Sequence, residues 1–285
     1  MKLSIITINF NDKIGLQKTI ESVVSQTFHD FEYIVIDGGS TDGSVDVIRN
    51  HESNIAYWVS EKDTGIYNAM NKGLYRANGE YCLFLNSGDF LFNEHILMEL
   101  FKYDFKEDIV SAGCTNFNEK EEWIKYPPFD VSLYTFVGGS LPHPSSLIKT
   151  SLLKELGGYR ENYKIISDWC FFLEATIVHN CSYRAIELVL TRFNCYGVSS
   201  VSQNKEGEEK KVFLQRLFPR IIQDYSVLEN EAFANVLFHF KKKDTRLYTL
   251  LSAVVLFPFK VVNRLLTLRR RLGKRMRIMK TYKIR

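Results

Sequence analysis

Two apolar stretches of the sequence each end in a carboxylate that could bind a ligand. Phe31–Asp37 (FEYIVID) ends in Asp37, and Tyr81–Leu85 (YCLFL) leads into Asn86–Asp89 (NSGD). Short apolar runs of this kind are typical of strands covered on both faces in a parallel sheet, and ligands bind beyond the carboxyl ends of such strands. Asp37 and Asp89 are therefore candidate ligand-binding groups, although the same residue types are common in ordinary turns.

Strand-like and helix-like segments alternate through the first 110 residues. The strands are predicted over Lys2–Asn9, Phe31–Asp37, Ile55–Val59 and Tyr81–Leu85, and helices begin near Asp12, Ser44 and Gly65. This alternation indicates βαβ units and a mostly parallel α/β sheet, with both carboxylates at one edge. The glycine fingerprint of dinucleotide enzymes and the phosphate loop of ATPases are missing. A bound nucleotide would therefore depend on carboxylates and a metal ion.

The second half of the chain contains two isolated groups that could be functional. His143 lies between two prolines that present its side chain rigidly, although a lone histidine is more often structural. Asp168 follows Ser167 at the start of a helix predicted from Trp169 to about His179, where a carboxylate can cap the helix. The other predicted segments are strands over Ile109–Gly113, Leu147–Lys149 and Tyr183–Tyr196, and a hairpin or excursion over Cys114–Tyr126.

The composition is that of a folded protein with a sizeable core. Of the 285 residues, 45% are hydrophobic and 25% are charged. The five cysteines form no C-x-x-C pair and predict reduced thiols. The apolar run after Lys2 is too short for a signal peptide. Together these features predict a cytoplasmic protein.

The C-terminal tail is strongly basic and partly apolar. Residues 244–285 hold 12 of the 37 Lys and Arg residues and one of the 33 acidic residues, so the tail carries a net +11 and the rest of the chain a net −7. Leu247–Leu268 is too short and too charged for a transmembrane helix. We favour an interfacial helix on an anionic membrane surface. The alternative is a helical tail that completes a homodimer, and the acidic body argues against a nucleic acid partner.

Four sequence blocks, in order, resemble family-2 glycosyltransferases of the GT-A fold, in particular bacterial transferases that build O-antigen, capsule and exopolysaccharide. The blocks are SIITINF at Ser4–Phe10, DGGSTDGS at Asp37–Ser44, EKDTGIYNAMNKGLYRANGEY at Glu61–Tyr81 and FLNSGD at Phe84–Asp89. The resemblance implies a Rossmann-like, mostly parallel sheet flanked by helices. It divides the chain into a nucleotide-sugar-binding half (1–110), an acceptor-binding and catalytic half (111–202) and a helical, basic, membrane-associating extension (203–285).

The resemblance also implies a set of donor-binding residues for a UDP-sugar. Asp37 would hydrogen-bond the base, usually uracil. Lys72 would neutralise phosphate charge, unless it is only a solvated helix lysine. The other implied donor-binding residues, which line the nucleotide pocket or contact the ribose, are Thr7, Asn9, Asp63, Asn86 and Ser87.

A divalent cation and a catalytic base complete the implied site. Asp89 matches the last carboxylate of the family's D-x-D motif, which holds Mn²⁺ or Mg²⁺, and His143 would lie near that metal. Many relatives have Asp-x-Asp-Asp where this chain has Asn86–Asp89, so two carboxylates are missing and metal affinity is expected to be lower. Asp168 matches the family's general base, and one base implies a single displacement with inversion.

The predicted activity is therefore that of an inverting hexosyl- or N-acetylhexosaminyltransferase that uses a UDP-sugar and a lipid-linked glycan acceptor. Two other functions stay open at this point. One is a binding protein that kept the fold and lost activity together with the missing carboxylates. The other is a sugar-nucleotide nucleotidyltransferase, which needs a glycine-rich basic loop after the first strand, whereas Asn9–Gly15 supplies one lysine and one glycine.

Overall fold

A nine-stranded sheet organises the part of the chain that the structure, a computed structural model, describes, namely residues 1–195 and 203–221. The chain divides into one compact unit over Met1–Phe213 and a second over Leu214–Arg285. The sheet lies in the first unit and runs through both halves of the predicted transferase domain. The predicted loop at Gly197–Ser200 and the basic tail at 244–285 lie outside the described residues.

The strands follow the order β3-β2-β1-β4-β8-β6-β9-β5, and β7 pairs with β6 outside this path. Strands β1 to β4 are parallel to one another, and β6 is parallel to β9, whereas β8, β7 and β5 pair in antiparallel fashion. Their bounds are β1 Leu3–Asn9, β2 Phe31–Asp37, β3 Tyr57–Ser60, β4 Tyr81–Phe84, β5 Phe90–Leu91, β6 Ile109–Phe117, β7 Glu122–Lys125, β8 Ser146–Lys149 and β9 Tyr183–Asn194.

The described helices flank this sheet. They are α1 Lys13–Val24, α2 Ser44–Asn50, α3 Ile66–Arg76, α4 Ile96–Leu100, α5 Leu133–Gly138, α6 Thr150–Glu155, α7 Ser167–Leu173 and α8 Gln203–Leu217. Short 3₁₀ turns cover Glu52–Asn54 and His143–Ser145, and α7 continues into a π-helical turn over Glu174–Val178. None of the helices in these described ranges is long and apolar enough to cross a membrane.

Burial on both faces explains why the first strands are apolar. All seven residues of β1 and all four of β4 are buried. One side of the sheet is covered by α1 through Leu16, Ile20 and Val23. The opposite side is covered by α3, whose Gly73 lies so close to β1 that a Cβ there would be 2.4 Å from Ile6 Cγ2.

The parallel register brings the ends of the first strands to one edge, as the sequence predicted. Asn9 is opposite Asp37, and Asp37 is opposite Ser60. Residue Ile6 of β1 is opposite Phe84, the last residue of β4. The polar residues that follow β1, β2 and β4 therefore begin at neighbouring points of the sheet.

The start of α7 differs from the sequence prediction. Helix capping by Ser167 and Asp168 was the alternative to a functional role for Asp168 at a helix predicted from Trp169, but α7 begins at Ser167, its N-cap is Ile166 and no side chain caps it. The Ser167 hydroxyl instead accepts a hydrogen bond from the backbone N–H of Arg160 at 2.5 Å. The capping interpretation of Asp168 is therefore wrong.

A glycine ahead of β4 provides a test of this fold. The Gly79 N–H donates to Ser4 Oγ at 2.8 Å, and a Cβ on Gly79 would be 2.5 Å from the backbone of Leu3 and Ser4. Because that backbone cannot move without disturbing β1, we expect Gly79→Ala to lower the free energy of unfolding by about 1–3 kcal/mol. Thermal unfolding followed by circular dichroism measures this.

The matched control is Gly207→Ala, since nothing lies within 4 Å of a Cβ at that position of α8. It should be neutral or slightly stabilising because alanine is the better helix former. Equal effects of the two substitutions would contradict the close approach of Gly79 to β1.

Candidate active site

Asp37 is a fully buried carboxylate that organises the loop after β2. It accepts hydrogen bonds from Asn9 Nδ2 (2.7 Å), from the hydroxyls of Ser40 and Ser60 (2.6 Å each), and from the backbone N–H groups of Gly39 and Ser40. Burial alone would raise the pKa of Asp37, but the bonds from Ser40, Ser60 and Asn9 hold it below its ordinary value. A carboxylate has roughly four lone-pair sites, and these five hydrogen bonds use all of them. Asp37 is therefore anionic, and its oxygens are already satisfied by protein donors.

The ends of β1 and β4 each present an amide oxygen without a partner. Asn9 Oδ1 and Asn86 Oδ1 are buried and have no hydrogen-bond partner in the described chain. Buried polar atoms of this kind are rare and require an explanation, such as a ligand or water that completes them. Thr7, by contrast, is fully buried, and its hydroxyl accepts a hydrogen bond from Tyr33 at 3.0 Å. The structure therefore places Asn9 and Asn86 at the edge and Thr7 in the core.

An exposed aromatic ring and a carboxylate lie on either side of Gly38. The ring of Phe10 is 64% exposed, and its Cδ2 would be 3.2 Å from a Cβ on Gly38. Asp63 approaches the same point with Oδ2 at 2.5 Å, while its Oδ1 accepts a hydrogen bond from the N–H of Gly65. The Asp63 carboxylate and the Phe10 ring therefore pack directly against Gly38, where even a methyl group would not fit. The sequence analysis had not singled out Phe10.

Lys72 lies on α3 near the same loop and is already paired. Its Nζ is 2.7 Å from Glu61 Oε1, and its side chain is largely buried. An anionic ligand could bind Lys72 only by sharing it with Glu61. Ser87 is half-buried, and its backbone N–H donates to the carbonyl of Ile8, which fixes the NSGD turn on β1.

Asp89 is buried in a setting that disfavours its negative charge. Only 3% of the residue is exposed, and its Oδ1 accepts a hydrogen bond from the N–H of Asn194 at 2.9 Å. Burial raises the pKa of Asp89 to about 8, the Asn194 N–H opposes this, and the nearby charge of Asp12 adds to the increase. In the metal-free protein at neutral pH, Asp89 therefore tends to hold a proton.

Asp12 is a second carboxylate of this site that the sequence analysis had not identified. It caps α1 by accepting a hydrogen bond from Gly15 N at 3.0 Å. Its Oδ2 would be 2.0 Å from a Cβ on Gly15 and 3.5 Å from one on Gly88. The signal in the sequence was Asp12 at the start of a predicted helix, three residues before Gly15.

Gly88 explains part of the unusual NSGD sequence. Its φ is +88°, a left-handed conformation that glycine adopts without strain. A Cβ there would also be 3.2 Å from Asn194 Nδ2. The backbone geometry thus disfavours a carboxylate side chain at this position.

The residues around Asp89 fit a hard divalent cation. Asp12, Asp89 and Asn86 supply carboxylate and amide oxygens, which Mg²⁺ and Mn²⁺ prefer, and the orphaned Asn86 Oδ1 has no other partner. No group of three or more His, Cys, Asp or Glu side chains in the described ranges is arranged to hold a metal ion. A cation here would therefore need further oxygens from its substrate.

His143 lies in an aromatic cluster. It is 8% exposed, its Nε2 is 2.8 Å from the Tyr159 hydroxyl, and its ring stacks on Phe84. Burial lowers its pKa, which the charge of Asp168 partly opposes. The imidazole is thus neutral, and one of its nitrogens is occupied by Tyr159.

Asp168 is a half-buried carboxylate held by a residue of α3. Its Oδ1 is 2.8 Å from the hydroxyl of Tyr67, which is also 2.6 Å from the carbonyl of Ile165. Burial and the Asp168 charge raise the pKa of Tyr67 far above its ordinary value, so its proton stays on the hydroxyl. With one oxygen fixed and no capping role, Asp168 is suited to accept a proton from a substrate.

Comparison with known proteins identifies the family. The sequence profile of Glycosyl transferase family 2 matches residues 4–163, which span every candidate residue except Asp168 and Asn194. The chain belongs to glycosyl transferase family 2. An uncharacterized glycosyltransferase of Mycobacterium tuberculosis is 36% identical over 205 residues, covering 70% of this chain and 77% of the relative. A PGL/p-HBAD biosynthesis glycosyltransferase of Mycobacterium bovis is 28% identical over 230 residues, covering 77% and 87%.

Solved structures share the fold. Staphylococcus aureus TarS 1-349 in complex with UDP-GlcNAc superimposes with a TM-score of 0.59 at 21% identity, covering 71% of this chain and 61% of that protein. The mannosyltransferase PcManGT of Pyrobaculum calidifontis, in complex with GDP-Man and Mn²⁺, has a TM-score of 0.52 at 16% identity, covering 67% and 56%. The predicted GT-A fold is confirmed by these similarities.

The raised pKa of Asp89 makes the stability of the metal-free protein depend on pH. The carboxyl has a pKa of about 8 in the folded state and an ordinary value of 3.8. As pH rises from about 4 to 8, the unfolded chain releases this proton first, so the folded state is progressively disfavoured. In EDTA, the unfolding temperature of the unmodified protein should therefore fall between pH 5 and pH 8. We expect a smaller fall in Asp89→Asn, because the asparagine side chain is neutral at both pH values.

The control is Asp46→Asn on the exposed surface of α2, which should keep the pH dependence of the unmodified protein. If Asp89→Asn and Asp46→Asn lose the same number of degrees between these two pH values, the burial of Asp89 does not govern its protonation.

Proposed function

We propose that this family-2 glycosyltransferase is an inverting enzyme that transfers a hexosyl or N-acetylhexosaminyl group from a UDP-sugar to a hydroxyl of a lipid-linked glycan. The observation that carries the proposal is Asp168. It is a half-buried carboxylate fixed through one oxygen by Tyr67, without a capping role, in a chain whose neighbouring strand ends carry several polar groups. The structure of TarS with UDP-GlcNAc supports a uridine nucleotide as donor.

We assign the donor base to the surface beside Gly38, against Phe10 and Asp63. The exposed face of Phe10 offers a stacking surface, and Asp63 offers a carboxylate that can accept from an N–H of uracil. Asp37 supports this surface by holding the loop through its five hydrogen bonds. The orphaned Oδ1 of Asn9 is available to accept from a ribose hydroxyl, while Asn86 Nδ2 can donate to a ribose oxygen and leave the Asn86 Oδ1 for the cation.

Mn²⁺ or Mg²⁺ would be held by Asp89 and Asp12 with the Asn86 amide. When bound, the cation would stabilise negative charge on the leaving diphosphate as a Lewis acid. Asp89 would then act as an ionised ligand, because a neighbouring positive charge favours the charged form. His143 has its Nε2 against Tyr159 and its ring within the adjoining aromatic cluster, so we assign it the support of that cluster and keep a metal-ligand role as the alternative.

Asp168 would act as the general base. Its carboxylate takes the proton from the acceptor hydroxyl while the oxygen attacks the anomeric carbon from the face opposite the diphosphate, and the bond to the diphosphate breaks in the same step. A single displacement inverts the anomeric configuration. A positioned base of this kind contributes on the order of 10²–10⁴ in rate.

The acceptor and location are proposed from the relatives and the tail. The mycobacterial relative named for PGL/p-HBAD biosynthesis supports a role in a biosynthetic glycosyl transfer. The net charge of +11 on residues 244–285 supports attachment to an anionic membrane surface from the cytoplasmic side, in surface-polysaccharide synthesis. A homodimer formed through the tail is the alternative use of the same residues.

The assignment of the base is tested with Asp168→Asn. The amide keeps the volume but cannot take a proton, so we expect the rate of UDP release from UDP-GlcNAc, UDP-glucose or UDP-galactose with Mn²⁺ to fall by at least ~10². UDP binding, measured by calorimetry, should stay near the wild-type value. Tyr67→Phe should show a smaller loss of rate, since it removes only the hydroxyl that fixes Asp168.

A matched control is Asp108→Asn, a carboxylate bound to Ser182 and Lys149 on another part of the sheet. It should leave the rate of UDP release unchanged. Wild-type turnover in Asp168→Asn, or an equal loss of UDP binding and of rate, would overturn the role given to Asp168.

The membrane role is tested in the full-length chain. We expect replacement of Arg269, Arg270 and Arg271 by alanine to weaken binding to phosphatidylserine vesicles by about 3 kcal/mol, since each basic residue contributes about 1 kcal/mol. Replacement of the exposed Lys18, Lys102 and Lys120 by alanine is the charge-matched control. Identical vesicle binding by the two triple variants would assign the tail to another role, such as a dimer contact examined by light scattering.

A further inference from the structure

The side chains of β7 alternate between two faces of the strand. The strand pairing and one ion pair show which residues lie on each face. In the antiparallel pair of β6 and β7, Thr115 is opposite Ile124 and Cys114 is opposite Lys125. Residues directly opposite each other share one face. Glu122 lies on the Ile124 face, where its Oε1 is 2.8 Å from Arg192 of β9. Alternation along the strand therefore places Trp123 and Lys125 together on the other face.

The face of β7 that carries Trp123 and Lys125 lies on the side of the sheet where Thr191 meets the His143 turn. The thiol of Cys114, opposite Lys125, accepts a hydrogen bond from Thr191, whose hydroxyl also bonds Ser145 of the His143 turn. The charge of Asp168 is near enough to raise the pKa of Lys125, although other causes are larger. The other face, with Ile124, belongs to the cluster of Arg192, Phe90 and Phe117.

We propose that Trp123 and Lys125 form the acceptor subsite, in which a sugar ring stacks on the Trp123 indole and an anionic group of the same acceptor, a phosphate or a carboxylate, binds the Lys125 ammonium. This inference rests on the proposed glycosyl transfer, because it assigns the molecule whose hydroxyl Asp168 deprotonates. It adds specificity-determining residues that lie outside the four sequence blocks of the family resemblance.

The two side chains have the chemistry that such an acceptor requires. The Trp123 side chain is 40% exposed on a strand whose four residues are all exposed, so its apolar face is available to the apolar face of a sugar ring. Lys125 forms no ion pair within the described residues, whereas the neighbouring Lys210 is paired with Glu206 at 2.6 Å and lies over the Trp169 ring.

The surroundings of Lys125 favour an incoming anion. Although β7 reaches solvent, protein groups crowd the ammonium, and this desolvation, together with the nearby Lys210, lowers the pKa of Lys125. Glu206 and Asp168 oppose the shift without contacting the ammonium. An anionic group bound at this point would favour the charged form of the ammonium.

The experiment measures binding of three acceptor probes to the full-length protein loaded with UDP and Mn²⁺. They are N-acetylglucosamine linked by a diphosphate to a ten-carbon isoprenyl chain, methyl glucuronide, and the neutral octyl N-acetylglucosaminide. The first probe carries phosphate groups and the second a carboxylate, so together they show which anion the site prefers. We expect the preferred anionic probe to bind more tightly than the neutral probe. Trp123→Ala should raise the dissociation constant of the preferred anionic probe roughly three- to tenfold. Trp123→Phe should restore part of the lost affinity.

Lys125→Met should raise the dissociation constant of the preferred anionic probe by about tenfold and leave that of the neutral probe unchanged. The matched control is Ile124→Ala, which alters a residue of the same strand with the same 40% exposure but on the opposite face. It should bind all three probes as the wild type does.

Two results would overturn the subsite. One is wild-type protein that binds UDP but binds neither anionic probe more tightly than the neutral one. The other is an effect of Ile124→Ala as large as that of Trp123→Ala. Failure of the proposed function looks different, because wild-type protein would then fail to bind UDP or to release it from a UDP-sugar.

Discussion

Helix α3 joins the two halves of the candidate site through a few buried hydrogen bonds. The Tyr67 hydroxyl reaches Asp168, a residue 101 positions later in the chain. One turn further along α3, the Asn71 side chain donates to the carbonyl of Tyr159 at 2.7 Å and accepts from its N–H at 2.8 Å. Because these groups are buried, breaking either contact would leave polar atoms unsatisfied at a cost of about 1–3 kcal/mol each. The position of the proposed base thus depends on α3, whose N-terminal end carries Tyr67 and directly follows Asp63 and Gly65.

Two aspartates at one sheet edge have opposite electrostatic settings, and this difference divides their roles. Asp37 is buried with five donors around it, so it is stable as an anion and holds a loop. Asp89 is equally buried but has one backbone donor and a like charge nearby, so its ionised form is unfavourable unless a positive charge lies beside it. A carboxylate of the first kind is a structural support, and one of the second kind is suited to bind a cation reversibly.

The sequence predicted the first half of the fold well because that half is built from local βαβ units. The Phe31–Asp37 strand has the expected bounds, and the strand ends meet at one edge. It did not predict that β8 inserts between β4 and β6, since that antiparallel pairing depends on contacts far apart in sequence. Asp12, Tyr67 and Trp123 were missed for the same reason. Each acquires its role from a partner in another element, which a local pattern does not reveal.

The NSGD turn has a carboxylate from outside the turn beside its glycine. The left-handed conformation of Gly88 brings the turn back toward Asn194 and Asp12, so the Asp12 carboxylate lies next to the position where many relatives carry an acidic side chain. One negative charge is thus supplied from α1 instead of from the turn. Fewer carboxylates also mean less repulsion in the metal-free state, where Asp89 is already costly to ionise. A cation held by two carboxylates and an amide would depend more strongly on oxygens of the diphosphate, which couples metal binding to donor binding.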